Sequence, residues 1–359
     1  MNKTEILKNK LADGDLDALL VTSEVNQYYV TGFYYQDGYA VVTKKGVYLI
    51  TDFRYIEAAE AEANEGVKVM MPGKDETALG LIKEIIESDG VKTVAVEDAT
   101  LALSWFDRIK KALDGSCELV FGASELLDNM RTVKTAEELE CIKKAQSITD
   151  AAFTHILSFI TPDKTEIEVA LELEFFMRRN GAEGLAFETI AVSGSASSQP
   201  HGVPRPVKLE KGFLTMDYGA KVNGYCSDMT RTVVIGRADD EMKRLYNTVL
   251  EAQLAGLAAA RKGVLCADVD KVARDIINNA GYEGCFGHGL GHGVGMYIHE
   301  APRVSYVSKA TLEVGNVVTV EPGIYLSGKY GCRIEDMIAI TEDGIYDFTQ
   351  SPKELIEIV

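Results

Sequence analysis

The sequence contains no run of about 20 apolar residues, the length a membrane-spanning helix needs. It is short of positive charge: 37 Lys plus Arg stand against 55 Asp plus Glu, a net charge of −18. That balance argues against a nucleic-acid partner or an anionic membrane surface. Cysteine pairing is missing too. The six cysteines, at 117, 141, 226, 266, 285 and 332, form no CxxC motif, so they read as reduced thiols, with Cys226 and Cys332 as small buried fillers. The opening MNKTEILKNKLADGDLDALL lacks the continuous apolar core of a secretory signal, and a cytoplasmic location is expected. Proline is nearly absent from the first 161 residues. Seven of the eight prolines lie at or after Pro162, and several flank the residues singled out below.

What is present suits two domains. The 359 residues are 46% hydrophobic, enough for a full core. Residues 1–120 alternate between strand patterns (18–23, 37–53, 67–71 and 91–98) and helix patterns (3–12, 53–64, 76–88 and 102–113). They form a smaller mixed α/β unit without a Gly-rich phosphate loop or a catalytic-looking acidic cluster. The boundary is expected within 121–134, dividing the chain into domains 1–125 and 126–359. Thr135-x-x-Glu138 and Thr165-x-x-Glu168 are capping boxes opening two helices, and Asn180-Gly181 ends the second. Strands follow from about 187 to 236. Two more helices (240–261 and 267–279) precede strands near 303–308, 316–326 and 332–340. A helix pair followed by antiparallel strands thus occurs twice, which makes the whole an α+β protein with the signature of an internal duplication.

Each half delivers two acids where a buried strand should be apolar: Asp217 in GFLTMDYGA and Asp228 in GYCSDMTRT, then Glu321 in VVTVEPGIYL and Glu335 in GCRIEDMIAI. An unpaired buried carboxylate costs several kcal/mol, and the nearby Arg231 and Arg333 cannot neutralise four. Asn223-Gly224 is a two-residue hairpin signal. With that turn Asp217 and Asp228 share a face as diagonal neighbours, roughly 7–8 Å apart at the backbone. A turn near Gly328 sets Glu321 opposite Glu335. Like charges across a sheet repel, and two divalent ions remove the repulsion while balancing the four negative charges. With His292 of GHGLGHGVG as a fifth ligand the set favours Mn²⁺ and admits Co²⁺, Zn²⁺ or Fe²⁺. Paired ions activate water for hydrolysis. His201 in SQPHGVP, His288 in GHGLGHGVG and His299 in HEAP are suited to proton transfer and oxyanion binding. The fifth histidine, His155, sits in a helix and reads as structural.

The segments MDYGA, SDMTRT, GHGVG, HEAP, VEPGIY and RIED, in that order, resemble the pita-bread metallopeptidases: methionine aminopeptidase, Xaa-Pro aminopeptidase, Xaa-Pro dipeptidase (prolidase) and creatinase. MRTVKTAEELECIKKA, TGFYYQDGYAVVT and YLITDFRYIEAA resemble the Xaa-Pro branch, so the likeness spans nearly the whole chain. It implies a pita-bread catalytic domain behind a creatinase-like N-terminal domain. It implies that Asp217, Asp228, His292, Glu321 and Glu335 hold two metal ions, with Asp228 and Glu335 bridging and Glu321 also shuttling a proton. It implies that His201 and His299 act on the substrate or its tetrahedral intermediate, and that His288 lines the substrate pocket. Arg303 and Arg333 are the nearby cations for a substrate carboxylate, and a structural ion pair is an equal reading for Arg333. A homodimer is a further implication. The substrates implied are short peptides with proline second, cleaved before the proline. An Xaa-Pro dipeptidase is the first reading, an Xaa-Pro aminopeptidase on longer peptides the second, and a non-catalytic peptide binder the third.

Overall fold

The computed structural model describes residues 3–14 and 16–359. The chain divides into two compact units, Met1–Met130 and Arg131–Val359. In the first, helices α1 (Lys3–Asp13), α2 (Glu24–Thr31), α3 (Ile56–Glu62), α4 (Ala78–Asp89), α5 (Leu103–Ala112) and α6 (Ala123–Thr132) alternate with strands β1 (Ala18–Val21), β2 (Tyr39–Thr43), β3 (Val47–Ile50), β4 (Val67–Met70), β5 (Thr93–Val96) and β6 (Glu118–Phe121). The strands form one mixed sheet in the order β4-β3-β2-β1-β5-β6. The β2–β3 hairpin turns at Lys45-Gly46, as the sequence suggested.

Three elements of this unit were not anticipated: β6, a parallel edge strand beside β5, and helices α6 and α2. Helix α6 fills the stretch expected to hold the boundary, with Glu125 in its first turn and Arg131 in its last, charges that suit the helix dipole. Helix α2 owes its start to a distant residue. Glu97 is 0% exposed, and its carboxylate accepts from the backbone N–H of Thr22 and Ser23, from both their hydroxyls and from Asn26 Nδ2. Those donors belong to the N-terminal turn of α2, so a residue some seventy positions away does the capping. Glu97→Ala is expected to leave these donors unsatisfied and to lower the stability of the protein by about 3 kcal/mol, measured by urea unfolding.

The second unit repeats one plan. Helices α7 (Ala136–Phe159) and α8 (Glu166–Arg179) precede β7 (Gly184–Leu185), β8 (Ile190–Ser193), β9 (Gly212–Tyr218), β10 (Ala220–Val222), β11 (Tyr225–Cys226) and β12 (Met229–Ile235). Both helices open with the expected capping boxes. Helices α9 (Asp240–Ala259) and α10 (Cys266–Ile277) then precede β13 (Gly291–Gly293), β14 (Glu300–Val304), β15 (Val317–Val320), β16 (Gly323–Leu326), β17 (Tyr330–Arg333), β18 (Asp336–Thr341), β19 (Gly344–Asp347) and β20 (Glu357–Ile358). The first helix pair packs on the β20-β12-β9-β8 sheet through residues such as Ile148, Ile156, Leu173, Leu214 and Met216. The second packs on β14-β13-β15-β18-β19 through Leu245, Val249, Val269, Val318 and Ile338. The strand expected near 303–308 runs Glu300–Val304 instead. His155 lies on α7, stacked on Phe176 with its Nε2 2.7 Å from Glu172, a structural placement.

Both registers that matter for the acids hold. Val222 pairs with Tyr225 around Asn223 and Gly224, which take the positive φ values of 48° and 80° that such a turn requires. The same register continues through Met229–Tyr218 and Thr230–Asp217. Gly219 is needed here: a Cβ would sit 1.9 Å from the Ser227 carbonyl oxygen. In the second half Val320 pairs with Asp336 and Gly323 with Arg333. Glu321 and Glu335 lie between those two pairs, facing each other where the ladder breaks.

Candidate metal centre and its cavity

The two halves meet through hydrogen bonds among these strands. The Glu335 N–H donates to the Thr230 carbonyl at 3.1 Å, and the Thr230 hydroxyl donates to Glu335 Oε2 at 2.6 Å. Arg231, fully buried, donates to the carbonyls of Thr230, Glu335, Ser351 and Pro352 and to Asp336 Oδ1, tying β12 to β18 behind the acids. A cavity of about 460 Å³ opens on the other side. Asp217, Asp228, Glu321, Glu335, His201, His288, His292, His299 and Arg333 all line it, together with the apolar Phe187, Ile190, Pro200, Val203, Pro204 and Ile298.

Arg303 sits at the edge of the site, its charge felt by His292. On β14 Pro302 and Val304 turn inward, so strand alternation leaves Arg303 exposed and outside the cavity lining. Its charge still helps lower the pKa of His299, after burial as the main cause. Arg333, 2% exposed, spends most of its donors internally. It donates to Asp217 Oδ2 at 2.5 Å, Thr230 Oγ1 at 2.9 Å, the Tyr325 hydroxyl at 2.9 Å and the Pro200 carbonyl at 3.2 Å. Four of five N–H groups are engaged, which favours the structural reading. Tyr325 also meets His288 Nε2 at 2.9 Å. Thr230 and Tyr325 sit inside the SDMTRT and VEPGIY segments and Thr319 just before the latter, but none was singled out from the sequence. Strand alternation beside the acids marks the two threonines.

The residues present fit divalent metal ions, on four observations. Asp228, His292 and Glu335 offer three ligand atoms within 4.8 Å of one another. His292 Nδ1 is 3.1 Å from its neighbour's carbonyl at Gly293, which assigns the ring proton there and leaves the Nε2 lone pair 3.5 Å from Asp228 Oδ2 and 3.4 Å from Glu321 Oε1. Burial, helped by His299, pushes the His292 pKa down to about 3, so the ring is neutral and acceptors face acceptors. Asp217 Oδ1 is buried and finds no hydrogen-bond partner among the described residues. Finally, burial and then the neighbouring carboxylates hold Asp228 and Glu335 well above the usual carboxylate range. Burial also raises Glu321 to about 8, against the opposing pull of Arg333. A single arginine is too little positive charge for this group. Oxygen ligands with one imidazole suit a first-row divalent ion.

The match to known proteins decides the family. Residues 140–342 match the family model described as Metallopeptidase family M24, and residues 3–133 match the Creatinase/Prolidase N-terminal domain. The chain belongs to metallopeptidase family M24. An Xaa-Pro dipeptidase of Pyrococcus horikoshii is 36% identical over 343 residues, covering 95% of each chain. Among solved structures, an Xaa-Pro dipeptidase from Bacillus anthracis superposes with a TM-score of 0.93 at 41% identity, covering 99% of this chain and 98% of that one. An X-Pro aminopeptidase from Thermotoga maritima gives 0.91 at 36%, covering 98% and 99%. This M24 chain therefore has the expected two-domain α+β architecture, a creatinase-type N-terminal domain before a pita-bread domain. Among the described residues no helix is long and apolar enough to cross a membrane.

The Thr230 hydroxyl orients Glu335 and receives Arg333. Thr230→Val keeps the shape and removes both bonds. Divalent-ion affinity is expected to fall about 10–100-fold, read by titrating metal-free protein with Mn²⁺.

Proposed function

We propose that this M24 enzyme hydrolyses the bond preceding proline, with X-Pro dipeptides as its first substrate. The observation that carries this reading is the cavity itself: a buried carboxylate–imidazole cluster at one wall and an apolar surface of Phe187, Ile190, Val203, Pro204 and Ile298 beside it. That surface suits a pyrrolidine ring. An X-Pro bond is a tertiary amide with fixed φ and no N–H, so it cannot be recognised as an added β-strand and needs a shaped pocket. The names of the relatives agree with this substrate class.

Asp217, Asp228, His292, Glu321 and Glu335 would hold two divalent ions, Mn²⁺ first and Co²⁺, Zn²⁺ or Fe²⁺ as alternatives. When bound, such a pair supplies an activated water and the charge to stabilise a tetrahedral intermediate. Glu321 stands where it can take the attacking water's proton and hand it to the proline nitrogen as the bond breaks. The Thr319 hydroxyl, 3.3 Å from Glu321 Oε1, orients that carboxylate. His201 and His299 face the cavity as donors to the developing oxyanion. His288 donates or accepts at the Tyr325 hydroxyl and shapes the pocket wall. A homodimer, as the family likeness implies, and a cytoplasmic location, as the free cysteines suggest, complete the proposal.

A second cleft of about 400 Å³ favours an aminopeptidase reading alongside the first. It shares Gly202 and Val203 with the active cavity and is lined by Ser195, Ser198, Gln199, Arg205 and Ser327. Its lining is polar, chemistry that suits peptide beyond the proline. The test compares kcat/KM for an X-Pro dipeptide and an X-Pro-Y-Z peptide with Mn²⁺ present. Preference for the dipeptide is the expected result, preference for the longer peptide selects the aminopeptidase, and turnover of neither with metal bound rejects the function.

A further inference from the structure

His201 lines the cavity on a segment that also borders a second cleft. Pro200, His201, Gly202, Val203 and Pro204 line the active cavity, and Gly202 and Val203 also line the second cleft behind it. Open space on both sides means that packing alone does not fix this segment. On one side the Pro200 carbonyl is tied to Arg333, and the Gly202 N–H donates to the Gln199 carbonyl. On the other side everything converges on one carboxylate.

That carboxylate is Glu166, the first residue of α8, and it is 0% exposed. Its Oε2 accepts from the Arg205 backbone N–H and from Arg205 Nε, both at 2.9 Å. Its Oε1 accepts from Arg205 NH2 at 2.6 Å, the Ser193 N–H at 2.7 Å and the Ser193 hydroxyl at 2.8 Å. Arg205 NH2 also reaches the Ser193 carbonyl at 3.2 Å and Glu210 Oε1 at 3.2 Å. Ser193 ends β8, whose Ile190 pairs with Asp217 on β9. One buried side chain therefore joins the His201 segment to the strand that is in register with an acid of the cluster. Pro204 and Pro206 flank Arg205 and fix their own φ angles, so displacement of Arg205 is passed along the wall instead of being absorbed in it. Arg205 does not line the active cavity, which excludes direct contact with a reacting group there.

We propose that Glu166 and Arg205 are positioning residues that set His201 and the proline-side wall relative to the carboxylate cluster. This rests on the functional reading above. Loss of the pair acts through His201 and leaves the metal ligands in place.

A double-mutant cycle tests it. Arg205→Ala is expected to lower kcat/KM for an X-Pro dipeptide about 10-fold, mostly through KM, with two Mn²⁺ still bound per chain. In a His201→Ala background the same change is expected to cost less than 2-fold. Arg205→Lys, which keeps the charge but not the paired geometry, is expected to give a smaller loss that also vanishes without His201, and it stands in if the alanine variant does not fold. Equal losses in both backgrounds, or loss of bound metal, overturn the proposal. A readout independent of turnover uses protein with ¹³C-labelled histidine: the His201 Cε1 resonance is expected to move in the Arg205 variants, while that of His155 stays. An unmoved His201 resonance overturns the positioning role. A wild-type chain that fails to cleave X-Pro peptides overturns only the functional reading.

Discussion

Asp228→Ala is expected to abolish X-Pro hydrolysis, lowering kcat/KM by about three orders of magnitude or more with Mn²⁺ in excess. Asp228 follows the β10–β11 hairpin, is 4% exposed, and lies between the acids of both halves: Glu335, Asp217 and Glu321 each act on its charge. His292 Nε2 faces its Oδ2. Removing it would take one carboxylate from the proposed ligand set, so elemental analysis is expected to show fewer than two ions per chain. Unfolding does not explain the loss. A buried carboxylate among three others is a cost to the metal-free fold, so metal-free Asp228→Ala is expected to unfold at the same urea concentration as wild type or a higher one at pH 8. Activity within a few-fold of wild type would remove Asp228 from the proposed centre.

The site was more legible than the scaffold that holds it. Period-two strand patterns and two turn signals place all four acids, because register leaves no freedom once Asn223-Gly224 turns the first hairpin and Gly328 the second. The histidines stand out by their Gly- and Pro-rich surroundings. What stayed hidden is non-local. Helix α2 needs Glu97, distant in sequence at the end of the neighbouring strand β5. The Glu166–Arg205 pair joins residues 39 positions apart. Tyr325 serves His288 and Arg333 together, and nothing in its local pattern shows that. Arg303 is exposed on β14, and its charge still reaches His292 and His299. Local rules capture backbone register, whereas side-chain partners depend on which elements fold against each other.

Metal-free protein is expected to lose stability as pH rises from 6.5 to 8, and Mn²⁺ is expected to abolish that loss. The sign follows from two opposing groups. Burial holds the His292 pKa near 3 and the His288 pKa near 4. Their folded forms bind fewer protons than the unfolded chain up to and somewhat above 6.5, so they make acid destabilising and between pH 6.5 and 8 each still offsets the carboxylates by about 0.4 kcal/mol. The carboxylates act in the other direction. Glu321 is raised from 4.5 to about 8 by burial, and Asp228 and Glu335 are raised well above their usual range. A folded state that keeps protons the unfolded chain has released is stabilised below 4.5, and the advantage is lost as pH climbs through the folded pKa. Each carboxyl still protonated contributes about 1.4 kcal/mol per pH unit, so Glu321 alone accounts for just under about 2 kcal/mol between pH 6.5 and 8. Asp228 and Glu335, raised by burial and by their neighbours, act in the same direction. Divalent ions take the place of those protons, so affinity rises with pH, and at a hundred times Kd they add about 2.7 kcal/mol of stability per site. Urea midpoints of EDTA-treated protein at pH 6.5, 7.25 and 8, with and without Mn²⁺, measure both effects. A metal-free midpoint that stays level or rises across this window would show that the four acids are not crowded into one buried cluster, and the centre would fail with it.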